Sequence, residues 1–199
     1  SPALCKEQPV LMLIAFEGLD QSGKETQSKR FRDRLRSAGD KARVVSFPDY
    51  GTSIGEEIAR ALQGEREYGP DVMQLLYVAN RYERKPDIDR WEHANIILLC
   101  DRYVASSIAY GEAQGLSVAW LNSMQQFLPQ PDLTVFLDIA PHTALERKAT
   151  GRDRYERDHA LQVGVRDSYV RQAVNPSWLR VDGERSPDDV AEDVAERLE

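Results

Sequence analysis

The sequence predicts a three-layer α/β fold in which helices flank a mostly parallel sheet of five strands. The prediction rests on short apolar runs that alternate along the chain with stretches of helical pattern. These runs are apolar at consecutive positions, VLMLIAF at 10–16 being the first, and such runs are typical of strands that are covered on both faces. Because ligands of parallel sheets bind at the carboxyl ends of the strands, we expect a site in the turns that follow these runs.

The predicted elements follow one another in a regular order. Apolar runs predict strands at 10–16, 42–47, 95–100, 133–139 and 178–181. Helical patterns predict helices at 24–38, 53–63, 70–84, 103–113 and 118–128, and another that begins at Pro141. Pro86 is expected to kink or restart the third of these helices. Ser186 and Pro187 predict the start of a last helix, whose buried stripe has four-residue spacing: Val190, Val194 and Leu198.

The composition is that of an ordinary globular protein. Of the 199 residues, 41% are hydrophobic and 30% are charged, which excludes a fibrous or disordered chain and fits one domain at 10–199. Residues 1–9 are expected to be a tail that is disordered or not native. The net charge of -7 argues against binding to nucleic acid or to an anionic membrane surface. Cys5 and Cys100 form no metal-binding or disulfide pattern. No stretch is long enough and apolar enough to span a bilayer. We therefore expect a cytoplasmic protein.

The first turn has the spacing of a phosphate-binding loop. It reads GLDQSGKET at 18–26, between an apolar run and a helical pattern. Its glycines let backbone N–H groups point inward, and Lys24 can reach the outer phosphates of a nucleotide. The alternative is a plain strand-to-helix turn with a solvated lysine. The position directly after the lysine usually holds a Ser or Thr whose hydroxyl ligates Mg²⁺. Here that position holds Glu25, and Thr26 comes one place later. The ion would then rest on phosphates and Asp101 or on Glu25 through water, or the loop would bind nucleotide and catalyse poorly.

Other strand ends and helices carry candidate site residues. Asp101 and Arg102 follow the third strand, where an acid can hold a metal-bound water and an arginine can clamp an anion. The alternative is a capping Asp with a surface Arg. Tyr77 and Arg81 lie four residues apart on one helix face, suited to stacking on a base and bonding its edge, or to a surface Tyr packing on an Arg stem. On the next helix, one face carries Ser106, Ser107 and Tyr110.

A basic segment follows the fourth strand. Its cationic residues fall within eleven positions: Arg147, Lys148, Arg152, Arg154 and Arg157. In a chain of net negative charge, this local excess predicts a contact with polyphosphate, and Gly151 would lend the mobility that a closing lid needs. A solvated charge run is the alternative. The lid is expected at about 147–157.

Taken together, these motifs resemble those of the thymidylate kinases, the P-loop enzymes that phosphorylate dTMP with ATP. The resemblance covers nearly everything from Leu13 to the end of the chain. It rests on six segments in order: FEGLDQSGKETQ at 16–27, FPDYGTSIG at 47–55, the helix of Tyr77 and Arg81, DRYVASSIAYG at 101–111, PDLTVFLD at 131–138 and GRDRYE at 151–156.

The resemblance implies a phosphotransferase with a P-loop NTPase fold that uses ATP and Mg²⁺ for dTDP biosynthesis. The implied ATP-binding residues are Gly18, Asp20, Gln21, Ser22, Gly23, Lys24, Glu25, Thr26 and Arg147. The implied metal-binding residues are Asp20, Asp101 and Glu156, with Thr26 as a further candidate. Because Gln21 and Ser22 stand where some members carry a catalytic arginine, the lid must supply it. The implied catalytic residues are Lys24, Asp101, Arg102, Arg152 and Arg154, the last two as arginine fingers.

The resemblance also implies how dTMP would be held. Tyr77 would stack on thymine, Arg81 and Ser107 would bond its edge, and Tyr110 would close the space of a ribose 2′-hydroxyl. Arg102 would clamp the phosphate, and Asp20 would lie near it and the 3′-hydroxyl. The remaining implied contacts are Phe47, Tyr50, Ser106, Tyr155 and Glu156. The family often has arginine after its Phe-Pro pair, whereas this chain has Asp49 and Tyr50, so Tyr50 offers only a hydroxyl there.

The implied partners are ATP and dTMP, together with a second copy of the chain in a homodimer. One alternative is a kinase of the same fold that acts on another nucleoside monophosphate or on a nucleoside. Another alternative, favoured by Glu25 and Asp49, is a nucleotide-binding module with weakened catalysis. A P-loop GTPase is less favoured because the sequence contains no NKxD motif.

Overall fold

A computed structural model describes residues 13–148 and 152–198, without the side chains of 152–157, and has the predicted α/β architecture. The proposed tail at 1–9 and Gly151 lie outside the described residues. In chain order the elements are β1 (Leu13–Glu17), α1 (Lys24–Ser37), β2 (Ala42–Ser46), α2 (Ser53–Leu62), α3 (Pro70–His93), β3 (Ile97–Asp101), α4 (Val104–Ala113), α5 (Val118–Met124), β4 (Leu133–Asp138), α6 (Pro141–Lys148), α7 (Arg152–Gln172), β5 (Trp178–Asp182) and α8 (Pro187–Leu198).

The described strands form one parallel sheet in the order β2-β3-β1-β4-β5. The central strand β1 pairs with β3 on one side and with β4 on the other. Phe16 and Ser46 both lie opposite Asp101, so the carboxyl ends of β1, β2 and β3 meet at one edge of the sheet. The predicted five-stranded, parallel α/β fold is confirmed, and the turns after these strands converge as expected.

Alternate residues of β1 build the cores on the two faces of the sheet. Leu13 and Ala15 belong to a cluster with Ile88 and Trp91 of α3. Ile14 and Phe16 belong to a cluster on the opposite face, which includes Phe31 of α1 and two residues of α8, Val190 and Val194. Successive strand residues point to opposite faces, so a strand covered on both sides is apolar at every position. This is the physical reason that the apolar runs predicted the strands.

The third helix continues through Pro86 instead of restarting there. α3 is one helix from Pro70 to His93. A proline inside a helix removes one backbone hydrogen bond and its ring clashes with the preceding turn, which together cost about 3 kcal/mol. After Pro86, the helix buries Ile88 and Trp91 in the core. Burial of an isoleucine side chain alone contributes about 1.5–3 kcal/mol. Tertiary packing therefore outweighs the local preference. Of the two outcomes expected at Pro86, a kink or a restart, the restart was wrong.

The last helix begins as predicted. The Ser186 hydroxyl accepts a hydrogen bond from the Asp189 N–H at 3.2 Å, the bond expected of a helix N-cap. The predicted stripe packs as expected, since Val190 and Val194 are buried. Within the described residues, no helix combines the length and the apolar character needed to cross a membrane.

Candidate active site

The loop between β1 and α1 has the curled backbone of a phosphate cradle. Gly18 has a φ of 148°, and a Cβ there would lie 2.5 Å from the carbonyl oxygen of Leu137, so only glycine fits. Gly23, with a φ of 95°, is the N-cap residue of α1. Gln21 also has a positive φ, of 66°. The loop therefore ends at the N-terminus of a 14-residue helix, where an anion is stabilised by free N–H groups and the helix dipole.

The ammonium of Lys24 is buried inside this loop. Its Nζ donates to the Leu19 carbonyl oxygen at 2.7 Å and to the Ser22 hydroxyl at 3.3 Å. Burial, aided by the nearby charge of Arg102, lowers the pKa of Lys24 to about 7. The lysine thus bonds the loop itself, and a phosphate placed in the cradle would favour its charged form.

Glu25 and Thr26 lie in the first turn of α1, directly after Lys24. The Glu25 side chain is 68% exposed and forms an ion pair with Lys29 at 2.5 Å. Thr26 is exposed as well. Glu25 therefore pairs with Lys29 on the surface of the helix, and its negative charge also contributes to raising the pKa of Asp101.

The acids of the site fit a magnesium ion that is shared with phosphates. Among the described residues, no group of three or more His, Cys, Asp or Glu side chains forms a metal cage. Burial raises the pKa of Asp101, at the end of β3, against the opposing charges of Lys24 and Arg102. Mg²⁺ usually keeps several waters and binds one or two carboxylates together with substrate phosphates. Asp101 offers such a carboxylate, whereas the Glu156 side chain lies outside the described residues.

Arg102 joins the phosphate loop to α4. Its Nη1 donates to the Gly18 carbonyl oxygen at 3.2 Å and to the Ser106 hydroxyl at 3.3 Å. Its Nη2 donates to the Tyr110 hydroxyl at 3.4 Å, and the guanidinium carbon lies 5.3 Å from the centre of that ring. Burial opposes the charge of Arg102, but Tyr110, Tyr169 and Glu17 hold its pKa above the ordinary value. Arg102 is therefore a fixed cation at the carboxyl edge of the sheet.

Arg81 is a buried arginine in the same region. Its Nη1 donates to the Ser107 hydroxyl at 2.7 Å and to Gln125 Oε1 at 3.0 Å. Burial lowers the pKa of this guanidinium. Tyr77 lies one turn earlier on α3 and is partly buried. Burial, together with the nearby Tyr50, raises the pKa of its hydroxyl to about 12. The structure thus brings together Tyr77, Arg81 and Ser107, as the base-site prediction requires.

A pocket of about 850 Å³ connects the two arginines. Such a volume is in the range of small-molecule sites. The predicted residues that line it are Asp20, Phe47, Tyr50, Tyr77, Arg81, Arg102, Ser106, Ser107 and Tyr110.

Unpartnered polar atoms are concentrated at this pocket. The buried side-chain atoms without a hydrogen-bond partner in the described part of the chain are Gln27 Oε1, Gln74 Oε1, Arg81 Nε and Gln162 Oε1. Of their residues, Gln74, Arg81 and Gln162 line the pocket. An unpaired buried polar group costs about 1–3 kcal/mol. Three of the four residues that carry such atoms therefore lie at this pocket.

The predicted lid is only partly described. Arg147 Nη1 donates to the Gln21 carbonyl oxygen at 2.9 Å, so this arginine lies against the phosphate loop. Lys148 Nζ lies 3.4 Å from Asp20 Oδ2. The side chains of the other predicted lid residues, Arg152, Arg154, Tyr155 and Glu156, lie outside the described residues.

Sequence reasoning missed two residues that shape the site. Gln125 at the end of α5 accepts from Arg81 and donates through Nε2 to the Val104 carbonyl oxygen at 3.1 Å. Glu17 is fully buried and bonds Ser106. The signal for Glu17 was an acid directly after an apolar run. Gln125 gave no signal, because its contacts come from distant parts of the chain.

Comparisons with known proteins identify the family of this chain. The family model described as thymidylate kinase matches residues 16–194. The thymidylate kinase of Schizosaccharomyces pombe is 39% identical over 145 residues, which cover 73% of this chain and 69% of that protein. The human thymidylate kinase is 33% identical over 184 residues, which cover 92% and 87%. The structure of thymidylate kinase from Candida albicans matches with a TM-score of 0.81 at 30% identity, covering 94% of this chain and 90% of that chain. This chain therefore belongs to the thymidylate kinase family.

Proposed function

We propose that this chain transfers the γ-phosphoryl group of ATP to dTMP and releases ADP and dTDP. Membership of the family makes it a phosphotransferase that acts on nucleotides. The observation that carries the proposal is a pocket lined both by Arg102, which lies beside the phosphate loop, and by Arg81 with Ser107. A nucleoside monophosphate has complementary ends, an anionic phosphate and a base with polar edges.

The transfer itself needs positioning rather than covalent work by the protein. An oxygen of the dTMP phosphate attacks the γ-phosphorus, a new P–O bond forms, and the bond from the γ-phosphorus to the β–γ bridging oxygen breaks. The bridging oxygen leaves with the electron pair as part of ADP. A phosphate monoester is largely ionised at neutral pH, so no side chain has to remove a proton from the acceptor.

The phosphate groups are the proposed ligands of Lys24 and Arg102. Lys24 meets the charge of the ATP phosphates from inside the loop, and Arg102 holds the dTMP phosphate next to Gly18. Asp20 lies at the same end of the pocket and its carboxylate is paired with Lys148. Arg147 is a proposed ATP contact, because it already lies against the loop at Gln21.

The inner end of the pocket is proposed to select the base. Arg81 is a donor without any acceptor atom, so it favours a carbonyl oxygen such as O4 of thymine over the amino group of cytosine. Ser107, which is bonded to Arg81, completes the polar edge. Tyr77 is proposed to present its ring for stacking. Tyr110, which also lines the pocket and accepts a hydrogen bond from Arg102, is proposed to contact the sugar.

Mg²⁺ is the proposed metal and the lid the proposed source of further positive charge. When bound, Mg²⁺ neutralises charge on the phosphates. Asp101 would hold it, with Asp20, Glu156 and Thr26 as further proposed ligands. Arg152 and Arg154 are proposed to act as arginine fingers, and Tyr155 as a substrate contact.

The proposed assembly is a homodimer of one-domain subunits at 10–199, located in the cytoplasm. Val72 and Leu75 on α3 are 37% and 47% exposed, and paired apolar side chains of this kind suit a helix-to-helix interface. Cys100 is a free, buried thiol, as expected in a reducing compartment. Sedimentation of the purified protein tests the dimer.

A substrate panel tests the proposed function. ADP release from ATP and Mg²⁺ is measured with dTMP, dUMP, dCMP, dGMP, AMP and thymidine as acceptors. We expect turnover with dTMP and weaker turnover with dUMP. Preference for another acceptor would contradict the base assignment and favour a different nucleotide kinase. Thermal stabilisation by nucleotide without turnover of any acceptor would favour a binding module.

A further inference from the structure

The carboxylate of Glu17 is fully buried at the end of β1. Its Oε1 accepts hydrogen bonds from the backbone N–H groups of Tyr103 and Ser106 at 2.8 and 3.3 Å. Its Oε2 accepts from the hydroxyls of Ser106 and Tyr169 at 2.6 and 2.8 Å. Buried charges are stable only when they are paired or hydrogen-bonded. These donors satisfy the hydrogen-bonding capacity of Glu17. In the proposed phosphoryl transfer, however, Glu17 contacts neither nucleotide.

The side chain of Glu17, which belongs to β1, supplies the capping hydrogen bonds at the N-terminus of α4. The cap residue Tyr103 makes no side-chain capping hydrogen bond. Amide groups at a helix N-terminus lack partners within the helix and carry partial positive charge. Glu17 accepts from the N–H groups of the cap residue and of Ser106 in the first turn, so the end of β1 is hydrogen-bonded to the start of α4.

Arg102 lies directly before this cap. Its φ is 64°, a left-handed conformation that a non-glycine residue keeps only when its surroundings hold it. The Arg102 N–H donates to the Phe16 carbonyl oxygen at 3.0 Å. Its Nη1 donates to the Ser106 hydroxyl, which in turn donates to Glu17. Both the backbone and the side chain of Arg102 are therefore tied to the strand end that carries Glu17.

Tyr169 connects the same point to α7. Its hydroxyl lies 2.8 Å from Glu17 Oε2 and 3.0 Å from the Ser106 hydroxyl. The N-terminal part of α7 carries the proposed lid residues Arg152 and Arg154. The helix that carries these lid residues and the arginine at the phosphate end of the pocket thus both connect to one buried carboxylate, α7 through Tyr169 and Arg102 through Ser106.

We infer that Glu17 is a positioning residue for the acceptor phosphate. It fixes Arg102 through Ser106 and the first turn of α4, and Tyr169 ties the lid helix to the same carboxylate. The inference rests on the proposed function, because it gives Arg102 a phosphate to hold. If this inference holds, a variant that disturbs Glu17 loses affinity for a ligand that carries the phosphate and keeps its affinity for the same ligand without the phosphate.

The test compares dTMP with thymidine, which lacks the phosphate. Glu17→Gln keeps the shape of the side chain but replaces one acceptor oxygen with an NH₂ group that faces existing donors. We expect the Kd and KM for dTMP to rise by about tenfold, as for loss of a charge-assisted contact. The Kd for thymidine should stay within about twofold of wild type. A folded variant with unchanged dTMP affinity, or with equal losses for both ligands, overturns the inference.

A second pair of variants covers the case in which Glu17→Gln does not fold. Tyr169→Phe removes one hydroxyl donor to Glu17 and keeps the ring that stacks on Phe136. Tyr103→Phe is the matched control, because its buried hydroxyl donates to the Pro129 carbonyl oxygen instead. We expect only Tyr169→Phe to weaken dTMP binding, by about threefold. Equal effects of the two variants overturn the inference.

Wild-type turnover separates this inference from the proposed function. If the wild-type chain phosphorylates no dTMP, the proposed function fails, while the binding comparison still tests Glu17. If the wild type is active and the variants bind dTMP as tightly as it does, only the role of Glu17 fails.

Discussion

Arg84 binds the carboxylate of Asp49 through two nitrogen atoms, Nε and Nη2. The backbone of Asp49 is held as well, because Asn80 accepts from its N–H at 2.7 Å and donates to its carbonyl oxygen at 3.0 Å. Asp49 therefore connects the loop after Pro48 to α3 through hydrogen bonds, and Arg84 neutralises the negative charge of the Asp49 carboxylate. The acid beside Tyr50 is a structural tie, whereas Tyr50 itself lines the pocket.

Asp49→Asn should lower stability and leave dTMP affinity close to that of wild type. The amide cannot form the charge-assisted pair with Arg84, so the free energy of unfolding in urea should fall by about 1–3 kcal/mol. Asp87→Asn is the control, because Asp87 pairs with Arg84 and with the exposed Arg90 and should cost less than about 1 kcal/mol. A large rise in the KM for dTMP without loss of stability would place Asp49 at the acceptor phosphate.

ATP binding should take up a proton above pH 7. Burial and Arg102 lower the pKa of free Lys24 to about 7, so the amine is largely neutral at pH 8. Bound phosphates favour the ammonium and raise this pKa again. Calorimetry in buffers of different ionisation enthalpy should show uptake of up to about one proton at pH 8 and little at pH 6. Uptake that Lys24→Met does not abolish would assign the proton to another group.

Lys24→Met should also stabilise the folded chain at low pH. The unfolded lysine, with a pKa of 10.5, binds more protons than the folded one between pH 7 and that value. The contribution of Lys24 to stability therefore rises with pH across this window and is least favourable below it. Thermal unfolding at pH 6 should show a higher Tm for the variant than for wild type. An unchanged or lower Tm would contradict the cost assigned to burying this ammonium.

Gln125→Leu should weaken dTMP binding through Arg81. The variant removes one hydrogen-bond acceptor of the buried Arg81 guanidinium, so stability should fall by about 1–3 kcal/mol. Arg81 would also lose the contact that orients it toward the base, and the KM for dTMP should rise. Gln126→Leu is the matched control, since Gln126 is the exposed neighbour on the same turn. Similar effects of both leucines would show that Gln125 does not position Arg81.

Tyr110→Ala should relax discrimination against ribonucleotides. The ring lies beneath the Arg102 guanidinium and fills the space proposed for a 2′-hydroxyl. The ratio of kcat/KM for dTMP to that for the ribonucleotide should fall by about tenfold or more. Tyr110→Phe keeps the ring and loses only the hydroxyl bonded by Arg102, so its ratio should stay near that of wild type. A preserved ratio in Tyr110→Ala would remove Tyr110 from this role.

Much of the fold was predictable because its determinants are local. Strands covered on both faces leave continuous apolar runs, and β1 to β5 fall on those runs to within a few residues at either end. The loop at Gly18 and Gly23 was predictable because its conformation requires glycine at fixed spacing. The course of α3 through Pro86 was not, because the packing of Ile88 and Trp91 decides it.

The remaining parts of the site depend on contacts between residues far apart in the chain. Glu17 looks like the polar end of a strand, and its role follows only from Ser106 and Tyr169, which are 89 and 152 residues away. Arg84 lies 35 residues from Asp49. No local pattern encodes such pairs, so residue types alone could not assign them.

The central claim is transfer of the γ-phosphoryl group to dTMP, and direct identification of the products tests it most directly. Phosphorus NMR would follow ATP, dTMP and Mg²⁺ incubated with the wild-type chain. The account predicts that one dTDP appears for each ADP formed. ADP and free phosphate without dTDP, or no consumption of dTMP at all, would contradict it.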